Sequence, residues 1–546
     1  MMSKNGDMGD NLVWKEMKNK IIENKLMIIA GLISILVAYL PYLEKDLVIG
    51  SDWSFHLIRI ETLASALSRG EFPVKFHSDL CYGFGYGVGF FYSNFFLYIP
   101  AILINLGFSL EVAYKLFAGL IMVSIFTGMY VAIWAMTKNK YISLCAAIAY
   151  ILSVNVLESF YQHFALGRSL ALIFMPMALC GMYMVLSENK GRILLEIGFI
   201  GLIFSHVLST VLAVVVCVIF LIVLIKEWVS DKEKWKSLLI AVGVVMVITA
   251  AYWIPMFEQW IAQTYRAVKP WTYVDENVIR ALSLLSENVI GILLVISSIV
   301  LGFWILEKGC RREVKIFYFT GMGFFLITAV YDFWHLFRNL FKFLQFPYRL
   351  FSVATVLLLI ALALWMNCLP IKRMKACVVL ILVINIFNAY QYMEPRTHES
   401  EDLGYRVLHE EIAGLGAGEE WLPIQTTRDY LVEPNNAYDD AGSMIKGERD
   451  GKNFIFSIAE ETKYCDVPFV WYKGFEAITD DGTKLSVTQV PETGLVRVNT
   501  EGVSSGNRIT VWYKGTMIQN IAYFISIISA IIGIIVGIRR FRKVTE

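Results

Sequence analysis

A series of about twelve apolar runs, separated by short charged segments, constrains this chain more than any other feature. They lie at roughly 26–43, 112–136, 141–156, 169–187, 193–206, 208–225, 237–255, 288–307, 315–331, 350–368, 376–393 and 517–538. Crossing a bilayer as a helix takes about 20 mainly apolar residues. No single water-exposed core could hide so many such runs. Hydrophobic residues make up 57% of the chain and charged residues 17%, against about 25% charged in soluble domains. The pattern predicts a polytopic α-helical membrane protein of about twelve spans. The first run, "LMIIAGLISILVAYLPYL", lacks a small-residue cleavage site and is expected to be a retained span.

Short loops give the expected orientation. Lys15, Lys18, Lys20 and Lys25 precede the first span. Lys138 and Lys140, Lys190 and Arg192, Lys232 and Lys234, "EKGCRREVK", "IKRMK" and the terminal "RRFRK" follow. All fall on one side when the spans alternate, so that side and both termini are expected to be cytoplasmic. The apolar piece "FFYSNFFLYIPAILINLGF", 90–108, would invert every later loop if it spanned. It is therefore expected to lie at, or dip into, the outer surface, held there by Asn94 and Pro100.

The organisation that follows is a cytoplasmic arm over 1–25 and a transmembrane domain over 26–393. A long first external loop occupies 44–111, with further external pieces at 157–168, 256–287 and 332–349. An extracytoplasmic β-rich domain fills 394–516, before a last span at 517–538 and a cytoplasmic tail at 539–546. Within the β-rich domain, short runs such as "NFIFSIA", "DVPFVWY", "LSVTQV", "LVRVNT" and "NRITVWYKG" alternate or are β-branched. Turn pieces such as "TDDG" and "SSGN" separate them, predicting a small antiparallel β-sandwich. A net charge of +1 gives no reason to expect nucleic acid, and the eight cysteines show neither CxxC nor Cys/His metal spacing.

All seven histidines (His56, His77, His163, His206, His335, His398 and His409) fall in outer loops or at outer span ends, which steers any chemistry outward. The stretch "GSDWSFHLIRIETLASALSRG" carries the densest polar group. Ser51 is positioned to cap a helix starting at Asp52, with Gly70 and Pro73 ending it. On that helix Asp52, His56 and Arg59 share one face, beside an apolar stripe of Trp53, Leu57, Ile60, Ala64 and Leu67. The expectation is an amphipathic helix on the membrane surface with its polar stripe open to a site; a local Asp–His pair at a helix N-terminus gives the same spacing. The glycines of "CYGFGYGVGFFYSNFF" suit either an aromatic-lined loop over a lipid or sugar, or plain packing; no nucleotide P-loop ending follows them. Glu158, Gln162, His163, Arg168, His206, Thr210, Gln345 and Arg349 stand where spans meet the outer side, and ionisable groups at membrane depth are functional candidates.

One well-placed carboxylate and several cations suit sugar transfer from a polyprenyl-phosphate donor. The leaving phosphate is a stable anion that needs cationic stabilisation, and the acceptor hydroxyl needs one base. A glycosidase needs a carboxylate pair, and no second member is visible. Two alternatives remain: a transporter or flippase for lipid-linked saccharides, which should show repeats and midspan ionisable groups, and a non-catalytic scaffold for envelope assembly.

The ordered segments "GSDWSFHLIRI", "GFGYGVGFFY", "GRSLALIFMP", "SHVLST", "LQFPYR" and "LPIQ…WYKGFEA…VNTEG" resemble the bacterial YfhO-type membrane proteins. They also resemble the related family labelled "6-pyruvoyl-tetrahydropterin synthase related". Both belong to the GT-C glycosyltransferase superfamily. The pterin label is a name only, since no zinc-binding histidine set is present. The resemblance implies an acid in the first external loop, matched by Asp52, acting as base or metal contact, and a lipid-phosphate sugar donor. The acceptor would be a cell-envelope glycopolymer, lipid or protein. Many GT-C families pair acids in a DxD-like motif, but here Ser54 stands two after Asp52. That departure weakens the case for a divalent cation (Mg or Mn), and no metal ligand set is assigned. The expected catalytic residues are Asp52 and His56. The expected substrate contacts are Arg59, His163, Arg168, His206, Gln345 and Arg349.

Overall fold

A computed structural model describes residues 25–48, 50–281, 283–286, 290–308, 310–393, 400–401, 415–416 and 419–545. His398, His409, Lys15, Lys18 and Lys20 lie outside the described residues.

Each of the twelve apolar runs has described residues on helix, yet among the described residues six helices are long and apolar enough to cross a membrane: Lys25–Leu43, Leu110–Thr137, Leu166–Glu188, Pro347–Met366, Ile371–Met393 and Met517–Gly537. The count reaches 8 if two bent pairs each form one span: Lys140–Ile151 with Val154–Tyr161, bent by 40°, and Lys232–Ile248 with Ala250–Ala262, bent by 71°. Fewer helices than the expected twelve thus meet this measure, and the reason is length. Arg192–Ser205, for example, has 14 residues. At about 1.5 Å per residue it reaches about 21 Å, short of a hydrocarbon core of about 30 Å. The most enclosed helix lies within Pro347–Met366, where every residue from Phe351 to Met366 is buried. It packs on Arg312–Ile327 and Lys140–Ile151, so its uniformly apolar sequence reflects a helix covered all round.

The β-rich region is a sandwich of two five-stranded antiparallel sheets. One is ordered Val487–Gln489, Leu495–Asn499, Tyr464–Val470, Asn436–Asp439, Met444–Lys446; the other Glu448–Asp450, Asn453–Ser457, Arg508–Tyr513, Phe475–Thr479, Lys484–Leu485. Alternating residues such as Phe454, Phe456, Val467, Phe469, Val496, Val498, Ile509 and Val511 fill the space between the sheets. This core does not stop at the sandwich. It runs on through Phe76, Phe84, Tyr86, Val88, Phe90 and Phe91 of the segment after Trp53–Ser68.

Trp53–Ser68 is therefore not a surface helix, which corrects the expectation. Leu57, Ile60, Leu63 and Ala64 belong to the membrane-domain core, while Ile58 belongs to the sandwich-side core. With both flanks covered, the polar stripe is enclosed as well, and His56 and Arg59 are buried. The glycine-rich stretch is a packed joint rather than a flexible cover. A Cβ on Gly87 would collide with the ring of Tyr472 from the sandwich. Residues 90–108 hold no spanning helix; Tyr98–Asn105 has 8 residues and presents Ile99 and Ile102 outward.

Candidate functional site

Asp52 stands at the N-cap of Trp53–Ser68, and its side chain makes no capping bond. Ser51 does not cap the helix; its hydroxyl donates to Asp52 Oδ1 (3.0 Å) and to the His163 carbonyl (3.1 Å). Two backbone bonds fix the same junction: Ser51 N–H to Gln162 O and Asp52 N–H to His163 O, both 3.0 Å. Gly50 makes this approach feasible, because a Cβ there would lie 2.6 Å from the Gln162 carbonyl oxygen. The first external segment is thus held directly against the turn that precedes Leu166–Glu188. Asp52 itself is exposed.

Arg59 points the opposite way. Its Nη2 donates to the Tyr92 carbonyl (2.9 Å) and to Asn94 Oδ1 (2.8 Å). Its guanidinium carbon lies 4.6 Å from the Tyr92 ring centroid, a cation–π arrangement. Asn94 in turn donates through Nδ2 to His77 Nε2 (2.8 Å) and to the Val74 carbonyl (3.1 Å). The His77 proton therefore resides on Nδ1, which meets Thr62 Oγ1 at 2.9 Å. Burial pushes His77 down to about 3, so this ring is a fixed neutral connector. Burial also pushes the Arg59 guanidinium down to about 10.

His56 is buried and has no polar partner on Nδ1 among the described residues. Burial, then the Arg59 and His206 charges, hold its pKa well below the ordinary value. Its burial and lowered pKa favour the neutral imidazole. Its ring packs edge-on to Phe55 (5.0 Å) and Tyr92 (5.7 Å).

Tyr92 is the hub. Besides Arg59 and His56, its ring lies 5.8 Å from His206, and a Cβ on Gly167 would collide with its hydroxyl. His206 caps Val207–Val223: Nδ1 accepts from the Ser209 N–H (3.4 Å) and meets Ser209 Oγ at 2.8 Å, which leaves the ring proton on Nε2. Thr210 is turned back to the His206 carbonyl (3.0 Å). Arg168, in the first turn of Leu166–Glu188, is buried, with Nε and Nη2 unpartnered among the described residues. Arg59 Nε and Nη1 are unpartnered in the same sense.

Arg349 donates from Nη1 to the Leu344 carbonyl (3.0 Å) and lies within electrostatic reach of Arg168, Asp52, Tyr92 and Tyr348. His163 stacks on Tyr348, centroids 5.2 Å apart at 7°, and its Nε2 is 3.8 Å from Glu158 Oε1. Gln345 takes a different part from the one expected. It is the middle of a three-residue turn closed by Phe346 N–H to Leu344 O (2.6 Å), at φ +60°. Such turns are rare and strained. The contact recorded for Gln345 is its backbone carbonyl, which accepts from Asn277 Nδ2 at 3.2 Å. It shapes the turn that presents Arg349.

The structure thus gathers Asp52, His163, Arg168, His206 and Arg349 around Tyr92 and Tyr348, and puts His56 and Arg59 in the layer behind. Tyr92, Tyr348, His77 and Asn94 were not singled out as site residues by the sequence pattern. Asn94, a polar residue within an apolar aromatic run, was the available signal. Among the described residues none of Arg59, Arg168 and Arg349 pairs with a carboxylate, and no three His, Cys, Asp or Glu side chains are placed to hold a metal ion. The arrangement can hold an anion next to an exposed carboxylate.

No family model matches the chain. An uncharacterized protein of Lactococcus lactis subsp. cremoris (strain MG1363) is 24% identical over 221 residues, 39% of this chain and 36% of that protein. Among solved structures, the arabinofuranosyltransferase AftD from Mycobacteria is similar over 69% of this chain and 27% of its own, with a TM-score of 0.44 and 14% identity. The Archaeoglobus fulgidus oligosaccharyltransferase, in complex with Zn and sulfate, is similar over 69% of this chain and 53% of its own, with a TM-score of 0.36 and 14% identity. The chain spans about a third of the length of the curated relative and a quarter to a half of these structures.

Proposed function

We propose that the protein is a membrane glycosyltransferase that moves a sugar from a polyprenyl-phosphate donor to a cell-envelope acceptor on the extracytoplasmic face. One observation carries the reading. Arg349 lies within electrostatic reach of both Arg168 and the exposed Asp52, neither guanidinium pairs with a carboxylate among the described residues, and Arg168 keeps buried N–H groups without a partner. Buried unpaired charge is costly, and a phosphate would complete it through charge-assisted hydrogen bonds.

In this reading Arg168 and Arg349 hold the donor phosphate and stabilise the charge that grows on it as the glycosidic C–O bond breaks. The neutral His206, with its proton on Nε2, supplies a further donor. Asp52 accepts the proton of the incoming acceptor hydroxyl, and the Ser51 hydroxyl orients one of its oxygens. Arg59 keeps Tyr92 in place from behind rather than touching the phosphate. The one-sided Lys/Arg loops of the sequence support a site on the extracytoplasmic face, where a lipid-linked donor is the available activated sugar.

The test uses purified full-length protein in liposomes with radiolabelled undecaprenyl-phosphate sugar. Release of polyprenyl phosphate with transfer or hydrolysis of the sugar is expected. A protein that moves the intact lipid-linked sugar between leaflets without consuming it is a flippase, and the transferase reading fails.

A further inference from the structure

Between Arg312–Ile327 and Pro347–Met366 the chain passes through 328–346, most of which belongs to the external piece expected at 332–349. The basic side chains reach toward the protein: Arg338 Nη1 lies 3.5 Å from the buried Asp275 Oδ2, and His335, itself exposed, meets the same oxygen through Nδ1 at 2.9 Å. The Arg338 guanidinium also covers the Tyr273 ring at 4.1 Å, and Lys342 Nζ donates to the Val268 carbonyl at 3.1 Å. The apolar side chains turn outward: Tyr331 is 52% exposed, Leu336 75%, Leu340 64% and Phe343 51%.

A loop in water does the reverse, leaving long charged side chains free and covering leucine and phenylalanine. A contiguous apolar patch of this kind marks a partner surface. The patch also continues an apolar surface already present, because Leu326 and Val330 at the end of the preceding helix are exposed too. Asp332, His335 and Asn339 share the outer surface. That mixture suits the boundary between lipid headgroups and acyl chains rather than the hydrocarbon centre.

We propose that residues 331–343 are seated in the bilayer leaflet on the sandwich side, with phospholipid as their partner. The contacts of Arg338 and Lys342 keep these two cations on the protein, so Leu336, Leu340 and Phe343 can reach the acyl chains while Asp332, His335 and Asn339 stay at headgroup level. The segment leads directly into the Gln345 turn and Arg349. One wall of the site is therefore lipid. The inference rests on the burial pattern alone and stands independently of the transferase reading.

The experiment places a benzophenone amino acid at Leu340 of the full-length protein in phosphatidylglycerol liposomes, with Lys446 on the sandwich as the comparison position. After irradiation the products are read by intact mass. A phospholipid adduct at 340, at least about tenfold above that at 446, is expected, because direct acyl contact is available at one position only. Placing the label at Leu336 should repeat the result, which guards against a misfolded variant. Equal adduct levels at 340 and 446, or a crosslink from 340 to a second copy in place of lipid, would overturn the proposal.

Discussion

The sandwich and the candidate site use the same residue types in opposite ways. In the sandwich and the linker before it, several cations are matched. Arg497 forks onto Asp466 through Nε (2.6 Å) and Nη2 (2.8 Å). Glu476 is shared by Lys484 (2.8 Å) and Lys514 (2.7 Å), while Glu419 takes both Arg266 and Arg428. Arg449, without an acid, still donates to the carbonyls of Pro434 (3.1 Å) and Pro468 (2.7 Å). At the site, Arg168 and Arg59 keep unpartnered buried N–H groups among the described residues, and Arg349 spends one donor on a carbonyl. A protein that matches several of its charges in one half gains nothing in stability from leaving others unmatched in the other. In the proposed reading, the difference marks where an anion from outside belongs.

The largest effect expected from that contrast is on rate. Asp52→Asn keeps the shape of the N-cap but removes the basicity, and general-base loss costs about 10²–10⁴ in rate. Normal expression with sugar transfer close to the parent rate would reduce Asp52 to a helix-end residue. Next comes affinity. Arg349→Lys should weaken binding of the polyprenyl-phosphate donor nearly as much as Arg349→Ala, roughly 10- to 100-fold, since a guanidinium can engage two phosphate oxygens at once. Full donor affinity in the lysine variant would make Arg349 an interface anchor.

A smaller effect is expected from acid. His77 titrates near 3 in the fold because it is buried, against about 6.5 in an unfolded chain. The unfolded state then binds more protons between these values. The stability tied to this ring is complete above about 6.5 and falls as pH drops toward 3. Thermal unfolding followed from pH 7 to pH 5 should show a fall that His77→Gln makes shallower. Equal pH profiles would mean that the ring is not held neutral. The smallest effect belongs to the matched half: Arg497→Ala should cost about 0.2–1 kcal/mol and leave donor affinity unchanged.

The two halves also differed in how far their sequence revealed them. Strands Asn453–Ser457, Tyr464–Val470, Leu495–Asn499 and Arg508–Tyr513 follow from alternation that the sandwich preserves. Short strands such as Met444–Lys446 and Glu448–Asp450 carry too few residues to show a period. In the membrane domain the apolar runs are visible, but their lengths do not distinguish a full span from a short or bent helix. That is why twelve runs are read where six to eight helices of the described residues are long and apolar enough to cross. Asp52, Arg168, His206 and Arg349 were legible because charge is rare at membrane depth. The inward turn of Arg59 was not, since spacing shows which residues share a helix face and not what will cover that face. Nor was the role of Gln345, which depends on a backbone turn and on Asn277, 68 positions away.

The central claim is that the unmatched guanidiniums hold a phosphate. It is tested most directly by measuring the binding of undecaprenyl phosphate to the purified protein by native mass spectrometry, in the parent and in Arg168→Gln, Arg349→Gln and Arg497→Gln. The account predicts a loss of at least about tenfold in the first two variants, the scale of one charge-assisted hydrogen bond, and parent-like binding in the third. Unchanged binding in Arg168→Gln and Arg349→Gln, with the fold intact, would contradict it.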